Sequence, residues 1–419
     1  MQIKNYLSEM VKSMTIVAVL TVGVTTVTTA FSPSVVAAEK GQKLSAKMKP
    51  LGDAQKLLGE KKFKEALGII NDQVVPISGK TPYEEYVTNE LKAACLQGMK
   101  DYAGVAKIYE TMLASNQGAP EQAPARILLI SQIAFQQKDY PKSIQFAERY
   151  VKENGSTPAV MEQLAQAYYM KGDYKIASDY ATKLIAQAEQ AKKAPEKLWL
   201  DILLGSQFKL ENKVGVVSTL EKVLTYYPDP KAWKDVFKYL VNSANYSERE
   251  SLEILRMKKT LGILNPEDYN TMTELALAMN SPGDAKSTLE AGIASGDIKA
   301  GERTTRLLAK AKADVAADLA SIDTETKDAQ AKGNAEALAK IGAAYLGHGQ
   351  NDKAVSAIQA ALAKGGLKNP DESNLRLGVA YVNLGNKAEA VKAFQKVSPT
   401  ANLASLARLW VIYTNSAKK

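Results

Sequence analysis

The sequence has very few of the side chains on which most catalytic sites depend. Its 419 residues include one His and one Cys. Enzymes that move protons at neutral pH, or that hold a transition metal, usually use several such side chains. No GxxxxGK[ST], HExxH or GxSxG motif occurs in the chain. The sequence therefore predicts a protein that is not an enzyme, with no catalytic residues, no cofactor and no metal.

The single thiol and the single imidazole are both predicted to have no chemical role. Cys95 lies in an apolar helical stripe with no basic residue or helix start beside it, so we expect a small buried side chain. His348 lies in a Gly-His-Gly-Gln segment, which predicts a solvated residue in a tight turn between two helices.

Arginine is also scarce, which disfavours nucleic acid as a partner. The net charge is +9, but only eight of the 54 basic residues are Arg. The lysines are scattered among Asp and Glu without a dense basic run, whereas bidentate recognition of bases and phosphates favours Arg. The basic charge is predicted to be a solvated surface.

One long apolar run is present, and it lies near the N-terminus. Met14 to Ala30 is apolar but contains six Thr, and the small residues Val36-Ala37-Ala38 follow it. This order is typical of a signal peptide, here predicted to be cleaved after Ala38, and it indicates a periplasmic protein. The alternative is an uncleaved N-terminal anchor. No later run is long enough for a membrane helix, so no stable membrane span is expected after cleavage.

A short sequence motif recurs along the rest of the chain. A polar turn such as Lys138-Asp139-Tyr140 or Gly172-Asp173-Tyr174 precedes a helix that opens with a small or β-branched residue. Spacings between these opening residues are 34 to 39 residues, with one gap of 69 that is close to two units. The opening residues stand at positions 66, 105, 143, 177, 216, 251, 285, 354 and 390.

Apolar residues recur at helical spacing on both sides of each turn. Met161, Leu164 and Tyr168 precede one turn, and Ala177 and Leu184 follow it. One such helix pair cannot bury its apolar stripe alone, so neighbouring pairs must cover it. The pattern predicts an all-α stack of antiparallel helix pairs.

The alternation Leu-Gly-x-x-Tyr, a Gly-Asn turn and Ala-x-x-x-Phe resembles the tetratricopeptide repeat. The similarity is strongest over residues 335–369 and 371–399, then 124–157 and 158–194, and it weakens over 231–264 and 266–296. The resemblance implies a right-handed superhelical solenoid of about ten antiparallel helix pairs. As a whole the chain resembles exported proteobacterial repeat proteins of unassigned activity.

Four segments are predicted. They are the signal peptide 1–38, an N-terminal array 39–296, a degenerate helical repeat or hinge 297–334 with a thin core, and a C-terminal repeat pair 335–419 that ends in a capping helix. Leu403, Leu406, Leu409, Trp410 and Tyr413 mark that last helix.

The resemblance also implies a protein-interaction scaffold or adaptor. Tetratricopeptide proteins bind a peptide or helix in a concave groove lined by the first helix of each pair. The corresponding residues here are Leu128, Gln132, Phe135, Gln136, Glu162, Gln166, Tyr169, Met170, Asp201 and Phe208. The family's carboxylate clamp has no counterpart, because Leu128, Glu162 and Asp201 occupy its first basic position.

Phe135, Tyr169 and Phe208 suggest an aromatic ladder along that groove, and the alternative is that these rings form core between repeats. A second functional hypothesis is an accessory or hydrolytic factor that positions an envelope polymer such as peptidoglycan, with two acidic side chains facing each other across a cleft. The identity of the partner and the oligomeric state are not fixed by the sequence.

Overall fold

The protein is helical throughout the part that the structure describes. The structure is a computed structural model that describes residues 43–118 and 120–416. These residues form 20 α-helices and no β-strand. The chain divides into two compact units, unit 1 up to Glu211 and unit 2 from Asn212. The all-α prediction is confirmed, and the predicted signal peptide lies outside the described residues.

Unit 1 consists of consecutive helices that pack against their neighbours in chain order. Short turns make successive helices antiparallel. The helices are α1 Lys49–Gly59, α2 Phe63–Ile69, α3 Pro82–Gly98, α4 Tyr102–Ala114, α5 Ala123–Gln136, α6 Tyr140–Asn154, α7 Pro158–Lys171, α8 Tyr174–Gln190 and α9 Lys197–Lys209.

The repeated sequence motif corresponds to a turn that ends one helix, followed by a residue that caps the N-terminus of the next helix. Lys138 has a φ of 62°, in the left-handed region, and Gly172 has a φ of 97° at the corresponding place. The amide N–H of Asp139 donates to the carbonyl of Ala134 at 2.9 Å, which closes the end of α5. The Asp139 carboxylate then accepts from the amide of Lys142 at 3.2 Å, which caps α6.

The same turn recurs five residues before most of the predicted opening residues. Left-handed residues stand at 61, 100, 138, 172, 211, 280, 349 and 385. The opening residues that follow them, at 66, 105, 143, 177, 216, 285, 354 and 390, are all buried. The ninth, Ser251, is only partly buried and has no such turn before it. The sequence spacing therefore marks a real packing position in eight of nine repeats.

Within residues 212–416, unit 2 forms eleven α-helices. They are α10 Lys213–Tyr226, α11 Pro230–Ser243, α12 Glu248–Thr260, α13 Pro266–Ala278, α14 Pro282–Ser295, α15 Glu302–Ala331, α16 Ala335–Gly347, α17 Asn351–Lys364, α18 Pro370–Asn383, α19 Lys387–Gln395 and α20 Ala404–Ser416.

Two glycines let helices approach closely in unit 2. A Cβ on Gly378 would lie 2.3 Å from the ring of Phe394, so α18 and α19 could not keep this spacing with any larger residue. A Cβ on Gly342 would lie 2.4 Å from Ile358 in the same way, which brings α16 against α17.

Residues 297–334, predicted as a degenerate helical repeat or hinge, do not form a pair of helices. They contain one continuous helix of 30 residues, α15, in which Ala311, Ile322 and Ala329 are buried. The composition correctly indicated a thin core. It gave no turn signal inside the segment, and the helix runs through it without a break.

The C-terminal helix α20 is the one that the sequence predicts as a capping helix. α20 packs on α18 and α19 and contacts α10, the first helix of unit 2. Arg408 on α20 donates to both oxygens of Glu221 on α10, at 2.8 and 2.9 Å. Unit 2 therefore closes back on its own first helix.

Candidate functional site

The predicted groove residues of unit 1 lie on three first helices that are neighbours in space. α5 contacts α7, and α7 contacts α9. The structure thus brings the predicted residues onto adjoining helices. Gln136 is exposed, and a larger group is half-buried: Leu128, Gln132, Glu162, Met170 and Phe208. The remaining four, Phe135, Gln166, Tyr169 and Asp201, are buried.

The aromatic ladder is not a row of three surface rings. Phe135 and Tyr169 are 8% and 5% exposed. Each ring packs edge-on against the Tyr that opens the next helix, Tyr140 at 5.5 Å and Tyr174 at 5.4 Å between ring centroids. These two rings belong to the repeat core, as the alternative stated. Burial raises the pKa of Tyr169 to about 12.

Glu162 is already engaged by two neighbours in the free chain. It accepts from Trp199 Nε1 on α9 at 2.6 Å and from Gln166 Nε2 at 3.3 Å. Asp201 is similarly paired with Lys197, with 3.2 Å between Nζ and Oδ2. The Glu162 contact ties α7 to α9, whereas the Asp201 pair lies within α9. Both carboxylates are engaged, so a ligand on this face would meet mainly Leu128, Gln132 and Gln136.

The basic residue of α5 is also used within the fold. Arg126 is 6% exposed and pairs with Glu90 on α3 at 2.5 Å. Its guanidinium lies 5.7 Å from the ring centroids of both Tyr86 and Tyr109. Burial raises the pKa of Glu90, and Arg126 offsets part of that rise. Arg126 therefore ties α3 to α5 and offers little charge to a partner.

Unit 2 holds a polar cavity that the sequence did not indicate. Its volume is about 380 Å³, within the usual range of small-molecule sites of roughly 300–1,000 Å³. Four helices and the α13–α14 turn surround it. The charged residues in its lining are Arg249, Arg256, Asp318, Glu325, Lys340 and Arg376.

A buried ion network forms one wall of this cavity. Arg256 on α12 donates to Glu253 at 2.5 Å and, from α12 to α14, to Asp284 at 2.6 Å. Arg376 on α18 donates to the same Glu253 at 2.7 Å and pairs with Glu372 at 2.5 Å. Glu253 is 2% exposed. The network joins α12, α14 and α18, which lie far apart in sequence.

The network fixes the charge states of its members. Burial alone would lower the pKa of Arg256, but Asp284 and Glu253 raise it above the ordinary value. Burial alone would raise the pKa of Asp284, but Arg256 lowers it. Both groups are therefore charged at neutral pH, and each buried charge has a partner at hydrogen-bond distance.

His348 is not the solvated turn residue that the sequence predicts. Its side chain is 2% exposed, and Nε2 lies 3.3 Å from Oδ2 of Asp318. The reason is close packing by α14. A Cβ on Gly283 would lie 2.3 Å from the carbonyl oxygen of Gly347, so the glycine lets α14 cover the turn. Nδ1 of His348 is buried without a hydrogen-bond partner in the described chain.

The buried position of Cys95 is confirmed. The thiol lies in the apolar cluster of α1, α2 and α3, with Leu51, Ile70 and Leu91. Burial raises its pKa to about 11, so it is a thiol rather than a thiolate at neutral pH.

Metal and membrane sites are not evident in the part of the chain that the structure describes. No group of three or more His, Cys, Asp or Glu in residues 43–118 and 120–416 is placed to hold a metal ion. None of the helices in these ranges has both the length and the apolar character of a membrane span. The two carboxylates that line the cavity, Asp318 and Glu325, both come from α15 and do not face each other across it.

Comparison with known proteins finds a family model that matches one part of the chain. Residues 340–402 match the family model of the tetratricopeptide repeat. This segment covers α17, α18 and α19 and most of α16, where the sequence resemblance was strongest, so the recognition is confirmed there. No curated protein matches the chain in sequence.

Several solved tetratricopeptide structures are similar in outline. One, from Parabacteroides merdae, is 11% identical, with 80% of this chain and 100% of that chain covered and a TM-score of 0.29. Another, the C-terminal part of a repeat protein from Cytophaga hutchinsonii, is 15% identical, with 77% and 98% covered and a TM-score of 0.33. The TPR2AB domain of yeast Sti1, in a pHSP90 complex, is 12% identical, with 71% and 100% covered and a TM-score of 0.25.

Proposed function

We propose that the chain is a non-catalytic protein-interaction scaffold of the cell envelope, and that unit 1 binds a peptide or helix. The supporting observation is the surface row on α5 and α7. Leu128, Gln132 and Gln136 follow each other at four-residue steps on α5, and Met170 lies on the adjoining α7. Four-residue steps put side chains on one helix face, and adjoining first helices extend that face into a binding surface.

The envelope part of the proposal rests on the leader in residues 1–38 and not on the fold. Cell fractionation with mass measurement of the chain tests it. We expect the protein in the periplasmic fraction, with Glu39 as its N-terminal residue. A chain found in the cytoplasm with its first 38 residues intact would contradict the export proposal and leave the binding proposal standing.

The binding surface is tested with a matched pair of double variants. In Leu128→Ser/Met170→Ser, two half-buried apolar side chains of the proposed face are lost. In the control, Val75→Ser/Ile176→Ser, two apolar side chains of unit 1 that are 45% and 39% exposed elsewhere are lost. Each protein serves as bait for crosslinking and pull-down from a periplasmic extract.

The expected result is that the wild type and the control recover the same partner and the groove variant loses it. Phe135 and Tyr169 are not used as test positions, because their burial would make truncation a change of stability. Equal recovery by all three baits would show that the partner binds another surface.

A further inference from the structure

The cavity of unit 2 has charge of opposite sign on different helices. Arg249, Arg256 and Arg376 reach it from α12 and α18, and Lys340 reaches it from α16. Asp318 and Glu325 come from α15. These two acidic residues are seven positions apart, about two helical turns or roughly 10 Å, so they lie along one face of α15. The cavity therefore has a cationic side and an acidic side.

The arginines are held in place by the ion network and are not excess charge. Arg249, Arg256 and Arg376 face Glu253, Asp284 and Glu372 within that network. Three guanidinium groups balance three carboxylates. Such pairing orients the guanidinium groups before any ligand arrives, which lowers the entropy that binding must supply.

Several polar atoms in the cavity lining have no partner in the described chain. Lys340 makes no hydrogen bond and no ion pair there, and neither does Glu325. The Nη1 group of Arg376 donates to no described residue, since Nε binds Glu253 and Nη2 binds Glu372. The cavity thus presents a free ammonium and guanidinium N–H donors on one side and a free carboxylate on the other.

We infer that this cavity is a binding site for a small zwitterion, namely a free amino acid or short peptide with both termini charged. The ligand's carboxylate would accept from Lys340 and the Nη1 group of Arg376, and its ammonium would donate to Glu325. A simple anion would contact only the cationic side of the cavity, and a simple cation only Glu325. A ligand with both charges makes charge-assisted hydrogen bonds to both sides.

Calorimetry on the full chain with three probes tests this inference. The probes are tri-alanine with free termini, N-acetyl-tri-alanine and tri-alanine amide. We expect tri-alanine to bind with a dissociation constant of about 1 mM or lower. Each blocked peptide loses one charge-assisted contact, so we expect binding to weaken roughly tenfold or more.

Two variants and two matched controls locate the site. Lys340→Met and Glu325→Gln each lose a cavity charge, and we expect each to weaken tri-alanine binding roughly tenfold. Lys327→Met and Asp328→Asn change exposed charges of α15 outside the cavity lining, and we expect wild-type affinity. All four positions are exposed, so the fold should be kept, which circular dichroism checks.

Three results would overturn the inference. They are no binding of any probe, equal binding of free and blocked peptides, or unchanged affinity in both cavity variants. Since all the cavity charges lie in unit 2, failure here leaves the proposed partner surface of unit 1 untouched.

Discussion

At the scale of single residues, the buried polar groups connect parts of the chain that are distant in sequence. Glu84 is 1% exposed and forms a capping box with Thr81, which accepts from the Glu84 amide at 3.1 Å. The same carboxylate accepts from the Ser45 amide at 3.0 Å and from the Ser45 hydroxyl. Ser45 lies before α1, so Glu84 holds the start of unit 1 to α3.

These bonds predict a stability that depends on pH. Hydrogen bonds from Ser45 and Thr81 lower the pKa of Glu84 from 4.5 to about 2. A carboxyl whose folded pKa is lowered stabilises the fold above its unfolded pKa, and this stabilisation is lost as pH falls from about 4.5 to about 2. We expect Glu84→Gln to lower the free energy of unfolding at pH 7 by about 1–3 kcal/mol, and to have much less effect at pH 2.

Urea unfolding followed by circular dichroism at pH 7 and pH 2 measures this difference. The exposed neighbour Glu85 provides the control variant Glu85→Gln. If Glu84→Gln lowered the free energy of unfolding equally at both pH values, the negative charge of Glu84 would not be the source of its stabilising effect.

Whether a hydrogen bond can be predicted from the sequence depends on how far apart its two residues lie in the chain. The Thr-x-x-Glu spacing of a capping box is visible in sequence, since both bonds join residues three apart. The bond to Ser45 spans 39 positions and depends on packing. The same holds for His348, whose burial depends on the approach of Gly283 from another helix. Local bonds can be predicted from spacing, whereas a partner from a distant helix cannot.

At the scale of helices and turns, the repeat was predictable because each turn carries its own signal. The Lys-Asp pairs at 100–101 and 138–139 combine a left-handed residue with a capping carboxylate, and Gly172 supplies the left-handed residue without a side-chain cap. Several of the left-handed positions hold Lys, Glu or Asn instead of Gly, at 61, 100, 138, 211 and 280. A glycine pattern alone would miss them. The surrounding hydrogen bonds impose the same turn at an energetic cost.

The energetic cost of a side chain in the left-handed region can be measured by substitutions at two equivalent turns. Lys138 is strained by its side chain in the left-handed region, and Gly172 is not. We expect Lys138→Gly to be neutral or to stabilise unit 1 by up to about 1 kcal/mol, and Gly172→Ala to destabilise it by about 1 kcal/mol. A Cβ on Gly172 meets nothing within 4 Å, so crowding does not contribute.

Both variants are compared with Gly52→Ala in α1, an open helical position where alanine is favoured. Thermal unfolding gives the change in the free energy of unfolding of each of the three variants relative to the wild type. If Gly172→Ala left unit 1 as stable as the wild type, or stabilised it as expected for Gly52→Ala, the turn would not require a left-handed residue.

At the scale of the whole chain, the sequence predicts a superhelical stack of helix pairs with a capping helix, and the contact of that helix with the first helix of unit 2 could not be foreseen. Arg376 and Glu253 are 123 positions apart, and Arg408 and Glu221 are 187 apart. Repeat periodicity describes how each helix packs on the next. It contains no information on whether the last helix of a unit returns to the first, because a few ion pairs and one apolar helix face decide that contact.

The two contacts that close unit 2 should differ in strength because they differ in burial. Arg376 is 15% exposed and Glu253 3%, measured on the side chains, whereas Arg408 is 51% exposed. Loss of one partner of a buried pair leaves an uncompensated charge and costs about 3–5 kcal/mol. An exposed pair contributes about 0.2–1 kcal/mol. We therefore expect Arg376→Met to destabilise unit 2 far more than Arg408→Met.

The measurement uses a Trp199→Phe background, in which the remaining tryptophans, Trp233 and Trp410, both lie in unit 2. Urea unfolding followed by their fluorescence then reports on unit 2 alone. Salt gives a second readout, since screening weakens the exposed Arg408 pair more than the buried network. If Arg376→Met and Arg408→Met lowered the free energy of unfolding of unit 2 by similar amounts, burial would not determine how much the Arg376 contact stabilises the unit.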